Sequence, residues 1–435
     1  MKFSDVILNI ESREGKRKSY DFSRMRALLK VLNNPHDGLK YLHVAGTNGK
    51  GSTSNFLYNI LISEGYIVGL YTSPHLERYN ERIMINGNEI SDEDFTRLGK
   101  IVIDAEKQIL DEFEVMTYFE FITAMAFLYF REKNCDYCVL EVGMGGLSDS
   151  TNVVAPKDKL MSFITPISMD HMQYLGNTVE EIAEQKAGII VKNVDVVSSN
   201  KNKSVVEILK NKAERENAQY YDLDDVKIEN LIIDDRGSEY TIKFKDETIS
   251  NLKINLSGYY QLENSALTVM GVMQLRNKGL LKISDESIRN GLKNTFWAGR
   301  MERVNDSPMI ILDGAHNFDG IQRLTENFRL FNYNKLYIIT SILNDKEHDK
   351  MLLEFSKYAD EIVLVSLETK RKTELDILRE EAQKYCENVK VIDNLKLAIK
   401  DVINVSKRND LIVIAGSLYL VSDTRKIIKE ILKIN

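Results

Sequence analysis

Between Tyr41 and Ser52 the chain runs Tyr41-Leu42-His43-Val44-Ala45 into Gly46-Thr47-Asn48-Gly49-Lys50-Gly51-Ser52. An apolar strand, a glycine-rich turn and a helix expected over 54–64 follow one another directly, which points to a parallel sheet covered by helices. Gly46, Gly49 and Gly51 have no Cβ, so backbone N–H groups can converge on an anion. The helix turns its positive dipole end toward the same point. Lys50 supplies a mobile positive charge, and Ser52 or Thr53 a hydroxyl for a magnesium ion. The stretch departs from the form G-x-x-x-x-G-K-[ST], because Gly51 stands between lysine and hydroxyl. The plain alternative is an ordinary strand-to-helix turn. Strand, glycines, lysine, hydroxyl and helix in this order favour a nucleoside triphosphate site.

A chain of 435 residues exceeds one ordinary core, so roughly two or three domains are expected. A net charge of −7, from 58 basic and 65 acidic residues, argues against a nucleic-acid binder, which would carry a basic stripe. No apolar run is long enough to span a bilayer, and residues 1–10 lack a signal-peptide core. The expectation is a cytoplasmic protein with neither a membrane nor a nucleic acid as partner. Cys135 and Cys138 form a C-x-x-C pair, but the stretch reads as a strand, where residues three apart face opposite sides. Neither a redox nor a zinc role is expected of them.

Strands are expected at 42–45, 68–71, 137–141, 161–164 and 194–198, and helices at 24–32, 54–64, 92–110, 119–130 and 179–187. From 220 to 256 alternating apolar and polar residues around Asp235-Arg236-Gly237 suggest an antiparallel hairpin addition, followed by a helix over 259–277. Phe296-Trp297-Ala298-Gly299-Arg300 is the expected hinge. A fresh βα series then begins, with strands at 309–312, 336–340, 361–365, 389–392 and 411–415. The fold class is α/β: a P-loop ATPase domain, then a smaller Rossmann-like α/β domain, with a ligand cleft between them.

The loops that follow parallel strands face the ligand side of such a sheet. Those loops carry Ser73, Glu141 and His171, a hydroxyl, a carboxylate and an imidazole expected near Lys50. The set suits a magnesium ion bridging protein and phosphate oxygens, completed by water. By position alone, His171 is either a ligand or a hydrogen-bonding histidine.

The segments Gly46 to Ser52, Ser73-Pro74-His75-Leu76, Phe119-Glu120, Glu141-Val142-Gly143-x-Gly145-Gly146, Asp170-His171, Lys186-Ala187-Gly188-Ile189, Gly299-Arg300, Asp313-Gly314-Ala315-His316-Asn317 and Gly416-Ser417-Leu418-Tyr419-Leu420 occur in this order. Together they resemble folylpolyglutamate synthase, often bifunctional with dihydrofolate synthase, within the Mur ligase superfamily. The resemblance covers nearly the whole chain. It implies an ATP-dependent amide ligase that phosphorylates a folate carboxylate and lets the amine of L-glutamate displace phosphate. It divides the chain into a P-loop, ATP- and folate-binding domain over 1–296 and a C-terminal glutamate ligase domain over 297–435.

What the resemblance implies for single residues extends across both domains. Thr47, Asn48, Gly49, Lys50, Gly51, Ser52, Asn264, Arg300 and Asp313 match positions that hold ATP. Ser73, Glu141 and His171 match magnesium ligands, with two ions and a potassium ion in prospect. Lys186 matches a lysine that is carbamylated in relatives; the other reading is an unmodified lysine pairing with phosphate or an acid. Lys50, Lys186 and His316 are the catalytic candidates, although His316 could equally cap a helix. Thr117, Ser148 and Ser417 match substrate-side positions. The implied partners are a reduced folate or dihydropteroate, L-glutamate and ATP, and relatives are usually monomers.

Ala298 replaces the proline usual in the hinge motif, and Gln185 stands before Lys186 where many relatives carry an acid. Asp21-Phe22-Ser23-Arg24-Met25 only loosely matches the stretch of members that accept dihydropteroate, so polyglutamylation is the firmer expectation. A ligase acting on a UDP-muramyl precursor would need a further domain ahead of the P-loop, and 45 residues precede Gly46. A GTPase-type switch would need an N-K-x-D motif, which is absent, and would leave the second α/β domain idle. A catalytically dead relative would not be expected to keep Lys50, Glu141, His171 and Lys186.

Overall fold

The computed structural model describes residues 1–13 and 21–432. The larger sheet is built from β1 (Tyr41–Ala45), β2 (Val68–Tyr71), β3 (Ile83–Ile85), β4 (Asn88–Glu89), β5 (Tyr137–Glu141), β6 (Lys159–Ile164), β7 (Val196–Ser198) and β8 (Tyr220–Asp222). Their order is β4-β3-β2-β5-β1-β6-β7-β8. Pairing is parallel from β2 to β8 and antiparallel where β3 and β4 extend the edge. Parallel strands are covered on both faces, which is why β1, β2 and β5 are buried at every residue. The chain leaves β1 toward β2 on one side and, after β5, crosses to β6 on the other. The loops after β1, β5 and β6 therefore diverge around a crevice at the carboxyl ends of adjacent strands.

Helices pack this sheet through large apolar side chains. Helix Tyr118–Glu132 buries Phe121, Phe127 and Phe130, each contributing about 1.5–3 kcal/mol on leaving water. The Phe130 ring lies where a Cβ on Gly69 of β2 would stand, so a larger residue there would push the helix off the strand.

The helix expected from residue 54 begins four residues earlier, as Lys50–Ser63. Its cap is Gly49, whose φ of +88° lets the chain turn directly from loop to helix. The region expected wholly as a hairpin addition divides. Tyr220–Asp222 joins the main sheet parallel to β7, because residues 194–219 form a strand and a helix, Lys203–Arg215, long enough for a crossover. The remainder forms a separate sheet of β9 (Lys227–Asp234), β10 (Gly237–Phe244) and β11 (Glu247–Ile254), in the order β11-β10-β9.

The expectation for the cysteines is corrected in its geometry. The strand starts at Tyr137, so Cys135 lies in the preceding turn and not on the strand. Both thiols are buried, and that of Cys138 meets that of Cys135, which together with burial pushes its pKa up. A raised pKa disfavours the reactive thiolate.

The chain divides into two compact units. One comprises residues 1–230, 240–253 and 263–295, and the other 231–239, 254–262 and 296–435. The second unit carries β12 (Glu302–Asp306), β13 (Met309–Leu312), β14 (Leu336–Thr340), β15 (Glu361–Leu364), β16 (Val389–Val391) and β17 (Leu411–Ala415). Their order is β12-β13-β17-β14-β15-β16, parallel except for β12. Ile311, Ile338, Phe355, Leu411 and Val413 lie in its core.

Candidate active site

The loop after β1 is stitched to the loop after β6. Thr47 N–H donates to the Pro166 carbonyl at 2.9 Å. The Thr47 hydroxyl donates to the Ser168 carbonyl and accepts from Ser168 N–H, both at 3.1 Å. Gly46 has a φ of +148°, and a Cβ there would overlap the Thr165 hydroxyl. At Gly49 a Cβ would overlap the Asn264 side-chain amide, so Asn264 packs directly on the turn. Gly51 and Ser52 lie buried in the first helical turn, and Asn48 is half-buried in the loop. This is a cradle closed by two glycines, with a helix N-terminus at its floor.

Two lysines reach into it. Lys50 Nζ donates to the Thr47 carbonyl at 3.1 Å, and Lys186 Nζ to the Gly46 carbonyl at 2.6 Å. Lys186 is buried, and burial, assisted by the Lys50 charge, lowers its pKa to about 7. Both lysines line an open hollow of about 230 Å³ with Gly46, Thr47, residues 142–145, Asp170 and His171. His171 caps the short helix Met172–Leu175 in a left-handed conformation, and its Nε2 lies 3.8 Å from the Asp170 carboxylate. Glu141 is buried at the end of β5 and accepts Ser73 N–H at 3.0 Å, which brings two of the three proposed magnesium ligands together. Among the described residues no cluster of three or more His, Cys, Asp or Glu side chains is poised for a metal. The Ser73 and Glu141 oxygens are nevertheless hard donors of the kind a magnesium ion takes, with phosphate oxygens and water to complete the shell.

Asp149, not singled out from the sequence, anchors the loop after β5. Its Oδ2 accepts Gly143 N–H and Met144 N–H, each at 3.0 Å. Its Oδ1 accepts Thr151 N–H at 3.0 Å and the Thr151 hydroxyl at 2.5 Å. Having given its only proton to Asp149, that hydroxyl accepts from His43 Nε2 at 2.8 Å. His43 is fully buried on β1, where desolvation holds it neutral at neutral pH, and among the described residues its Nδ1 has no hydrogen-bond partner. The signal available in the sequence was an acidic residue two positions before a threonine, an ordinary turn cap.

Thr117 caps helix Tyr118–Glu132. Its hydroxyl accepts Glu120 N–H at 3.3 Å and lies 3.0 Å from the Glu120 carboxylate. Arg24, from the divergent segment near the N-terminus, donates to the same carboxylate at 2.7 Å. Ser148 is half-buried on the loop that Asp149 holds.

In the second unit Asp313 is buried, and burial raises its pKa. It accepts the Tyr260 hydroxyl at 3.0 Å, Met301 N–H at 2.8 Å and Ala315 N–H at 2.8 Å. The Arg300 guanidinium donates to the Gly299 carbonyl at 3.1 Å and fills the space where a Cβ on Gly314 would stand. Glu302 accepts Gly299 N–H at 2.8 Å and pairs with Arg425. His316 Nδ1 donates to the Gly314 carbonyl at 2.8 Å, which orients the ring. Ser417 is buried and its hydroxyl accepts Tyr419 N–H at 3.2 Å, opening helix Leu418–Leu432.

Comparison with known proteins gives a consistent picture. Residues 44–272 match the Mur ligase middle domain, and residues 299–418 the Mur ligase glutamate ligase domain. The chain is 36% identical over 410 residues to a dihydrofolate synthase/folylpolyglutamate synthase of Bacillus subtilis, covering 93% of this chain and 94% of that protein. It is 33% identical to a folylpolyglutamate synthase of Lacticaseibacillus casei, with 98% of each covered. The apo form of the L. casei enzyme superposes with a TM-score of 0.87 at 33% identity, over 98% of this chain and 99% of that one. A folylpolyglutamate synthase complex with AMPPCP and folate superposes at 0.86, with 33% identity and the same coverage.

Proposed function

The chain belongs to the folylpolyglutamate synthase/dihydrofolate synthase family of Mur ligases, and from that membership we propose how its residues carry out the reaction. It is an ATP-dependent ligase that joins glutamate to folate. In the proposed sequence an oxygen of the folate carboxylate bonds to the γ-phosphorus of ATP as the bond to the β-bridging oxygen breaks, giving an acyl phosphate and ADP. The amine of L-glutamate then bonds to the acyl carbon, loses a proton and expels inorganic phosphate. The single observation that carries this assignment is the glycine cradle with Lys50 and Lys186 converging on the Gly46 and Thr47 carbonyls.

Thr47, Asn48, Gly49, Gly51 and Ser52 would receive phosphate oxygens through main-chain and hydroxyl donors. Lys50 would swing from the Thr47 carbonyl to offset charge on the transferring phosphoryl group. Ser73, Glu141 and His171 would hold magnesium, which when bound supplies charge neutralisation at the phosphates. Asn264, Arg300 and Asp313 are assigned to ATP by the family resemblance. The hydrogen bonds that already occupy Asp313 favour a part in fixing the Met301 and Ala315 turns as well. His316, Thr117, Ser148 and Ser417 are assigned to the two other substrates on the same ground.

A pKa of about 7 leaves a share of Lys186 as free amine at neutral pH, the form that carbamylation consumes. Carbamylated Lys186 with a second magnesium ion is therefore part of the reading, and the resemblance alone adds a potassium ion. The proposal includes a monomer in the cytoplasm, acting on small molecules without nucleic acid or membrane. It is supported by the acidic net charge and by the absence, among the described residues, of a helix long and apolar enough to cross a membrane.

The test is ADP release with magnesium-ATP and L-glutamate, offering tetrahydrofolate and dihydropteroate separately. Turnover with both is expected of a bifunctional enzyme, and turnover with tetrahydrofolate alone of a polyglutamylating one. Silence with both, in protein that binds ATP, would overturn the substrate assignment.

A further inference from the structure

Two arginines among the described residues are at least nine-tenths buried, Arg13 at 9% and Arg82 at 4% exposure. They are treated very differently. Arg13 gives its guanidinium to the Glu106 carboxylate at 2.7 and 2.9 Å and to the Met116 carbonyl at 3.0 Å. Arg82 has no carboxylate within ion-pair distance among the described residues. Its Nε donates to His75 Nδ1 at 2.8 Å, and its Nη1 is buried without a hydrogen-bond partner. The rings of Tyr79 and Tyr118 lie 5.6 and 5.9 Å from the guanidinium carbon. Aromatic faces offset part of the cost of withdrawing a cation from water, but an anion is what such a group ordinarily requires.

The position of Arg82 says where that anion would come from. Its carbonyl accepts Thr72 N–H at 3.0 Å, so it sits beside the start of the loop whose Ser73 N–H meets Glu141 at 3.0 Å. Tyr118 follows Thr117, a substrate-side position by the family resemblance, at the start of the helix that Thr117 caps. The phosphates have their own cations in Lys50 and Lys186 across the glycine cradle. A planar fork with a nitrogen left without a hydrogen-bond partner, set between tyrosines, matches a carboxylate carried on an aryl amide.

We propose that Arg82 is a specificity residue for the folate acceptor: it receives the α-carboxylate of the terminal glutamate while the γ-carboxylate is presented to ATP. The assignment rests on the folate ligase reading above. It separates an acceptor with two carboxylates at its end, such as tetrahydrofolate, from dihydropteroate, which has one.

The experiment is calorimetric binding, with a non-hydrolysable ATP analogue and magnesium present, of tetrahydrofolate and of its α-amide. Wild type is expected to bind the α-amide about tenfold to hundredfold more weakly. Arg82→Gln should weaken tetrahydrofolate by a similar factor and bind the two ligands alike, with affinity for the ATP analogue unchanged. Equal binding of both ligands by wild type overturns the proposal. So does an equal weakening of both by the variant, which would mark a structural residue. If Arg82→Gln does not fold, Arg82→Lys, which keeps the charge and loses the fork, must narrow the gap between the ligands; an unchanged gap overturns the assignment. Failure of wild type to release ADP with any folate would sink the folate reading itself. Turnover without discrimination at the α-carboxylate would sink Arg82 alone.

Discussion

Lys186 Nζ donates to the main-chain carbonyl of Gly46 at 2.6 Å, tying the last turn of helix Val179–Ala187 to the first glycine of the loop after β1. The same lysine is held near pKa 7 by burial and by Lys50, so its amine and ammonium forms are both populated at neutral pH. Carbamylation would bond the amine nitrogen to the carbon of CO2 and release one proton, turning a donor to Gly46 into an acceptor for metal. The expected outcome is that turnover falls in CO2-depleted buffer and recovers with bicarbonate. Lys186→Ala should lower kcat by about 100-fold or more while binding of an ATP analogue changes little. Steady-state kinetics with and without bicarbonate check this. A wild type indifferent to bicarbonate would leave Lys186 as an unmodified cation.

Lys159, at the opposite end of β6, supplies a pH prediction free of the site chemistry. It is buried, donates to Asn152 Oδ1 and the Ile189 carbonyl, and is lowered by burial to a pKa of about 7. Its unfolded value is near 10.5, so between roughly pH 7 and 10 the unfolded chain binds the extra proton and stability rises with pH. Below pH 7 both states are protonated and the full cost of the buried charge is present. Lys159→Met should flatten that rise by up to about 1.4 kcal/mol per pH unit, read from urea unfolding at pH 7.5 and 9. An unchanged slope would mean that Lys159 stays charged.

The chain Asp149–Thr151–His43 predicts non-additivity. Thr151→Val strands the His43 Nε2–H in the core and should cost about 1–3 kcal/mol. Removing both partners, with His43→Leu added, should cost less than the sum of the single changes. Asp149→Ala frees Gly143 and Met144 beside the hollow, so ATP binding should weaken together with stability. Chemical denaturation of the four-member cycle decides it, and strict additivity would dissolve the network.

Gly49→Ala meets two obstacles. A φ of +88° is unfavourable for alanine, and the added methyl overlaps the Asn264 side chain. ADP affinity should fall by about tenfold or more, each factor of ten corresponding to about 1.4 kcal/mol. Adding Asn264→Gly should relieve the overlap and leave the backbone strain, giving partial recovery of the folded state. Calorimetry with ADP and thermal melting separate the two contributions.

Local chemistry makes much of this protein readable from its residues alone. Leu42 to Ser52 announces its strand, turn and helix because apolar period, missing Cβ atoms and a capping glycine all act within a few residues. The runs at 309–312 and 411–415 declare parallel strands because burial on both faces demands continuous apolar side chains. The edge strands β3 and β4 left no such trace, being short and held by pairing, β3 to β2 and β4 to β3, rather than by their own pattern. The strand Tyr220–Asp222 reads as part of a hairpin yet pairs parallel to β7, because alternation describes one face of a strand and says nothing about its neighbour.

The sequence by itself determined the glycine-rich loop, the α/β class, the family and the candidate residues at strand ends, because each rests on spacing along the chain. Only the tertiary structure decided which of them meet. Lys186 reaches a carbonyl 140 positions away, Glu141 a backbone amide 68 away, and Asn264 packs on Gly49. It also decided that burial lowers the pKa of Lys186 and of Lys159 to about 7, and that, among the described residues, Arg13 meets a carboxylate and Arg82 meets none. Desolvation and partnership depend on what surrounds a side chain in three dimensions, and a residue's own letter does not carry that information.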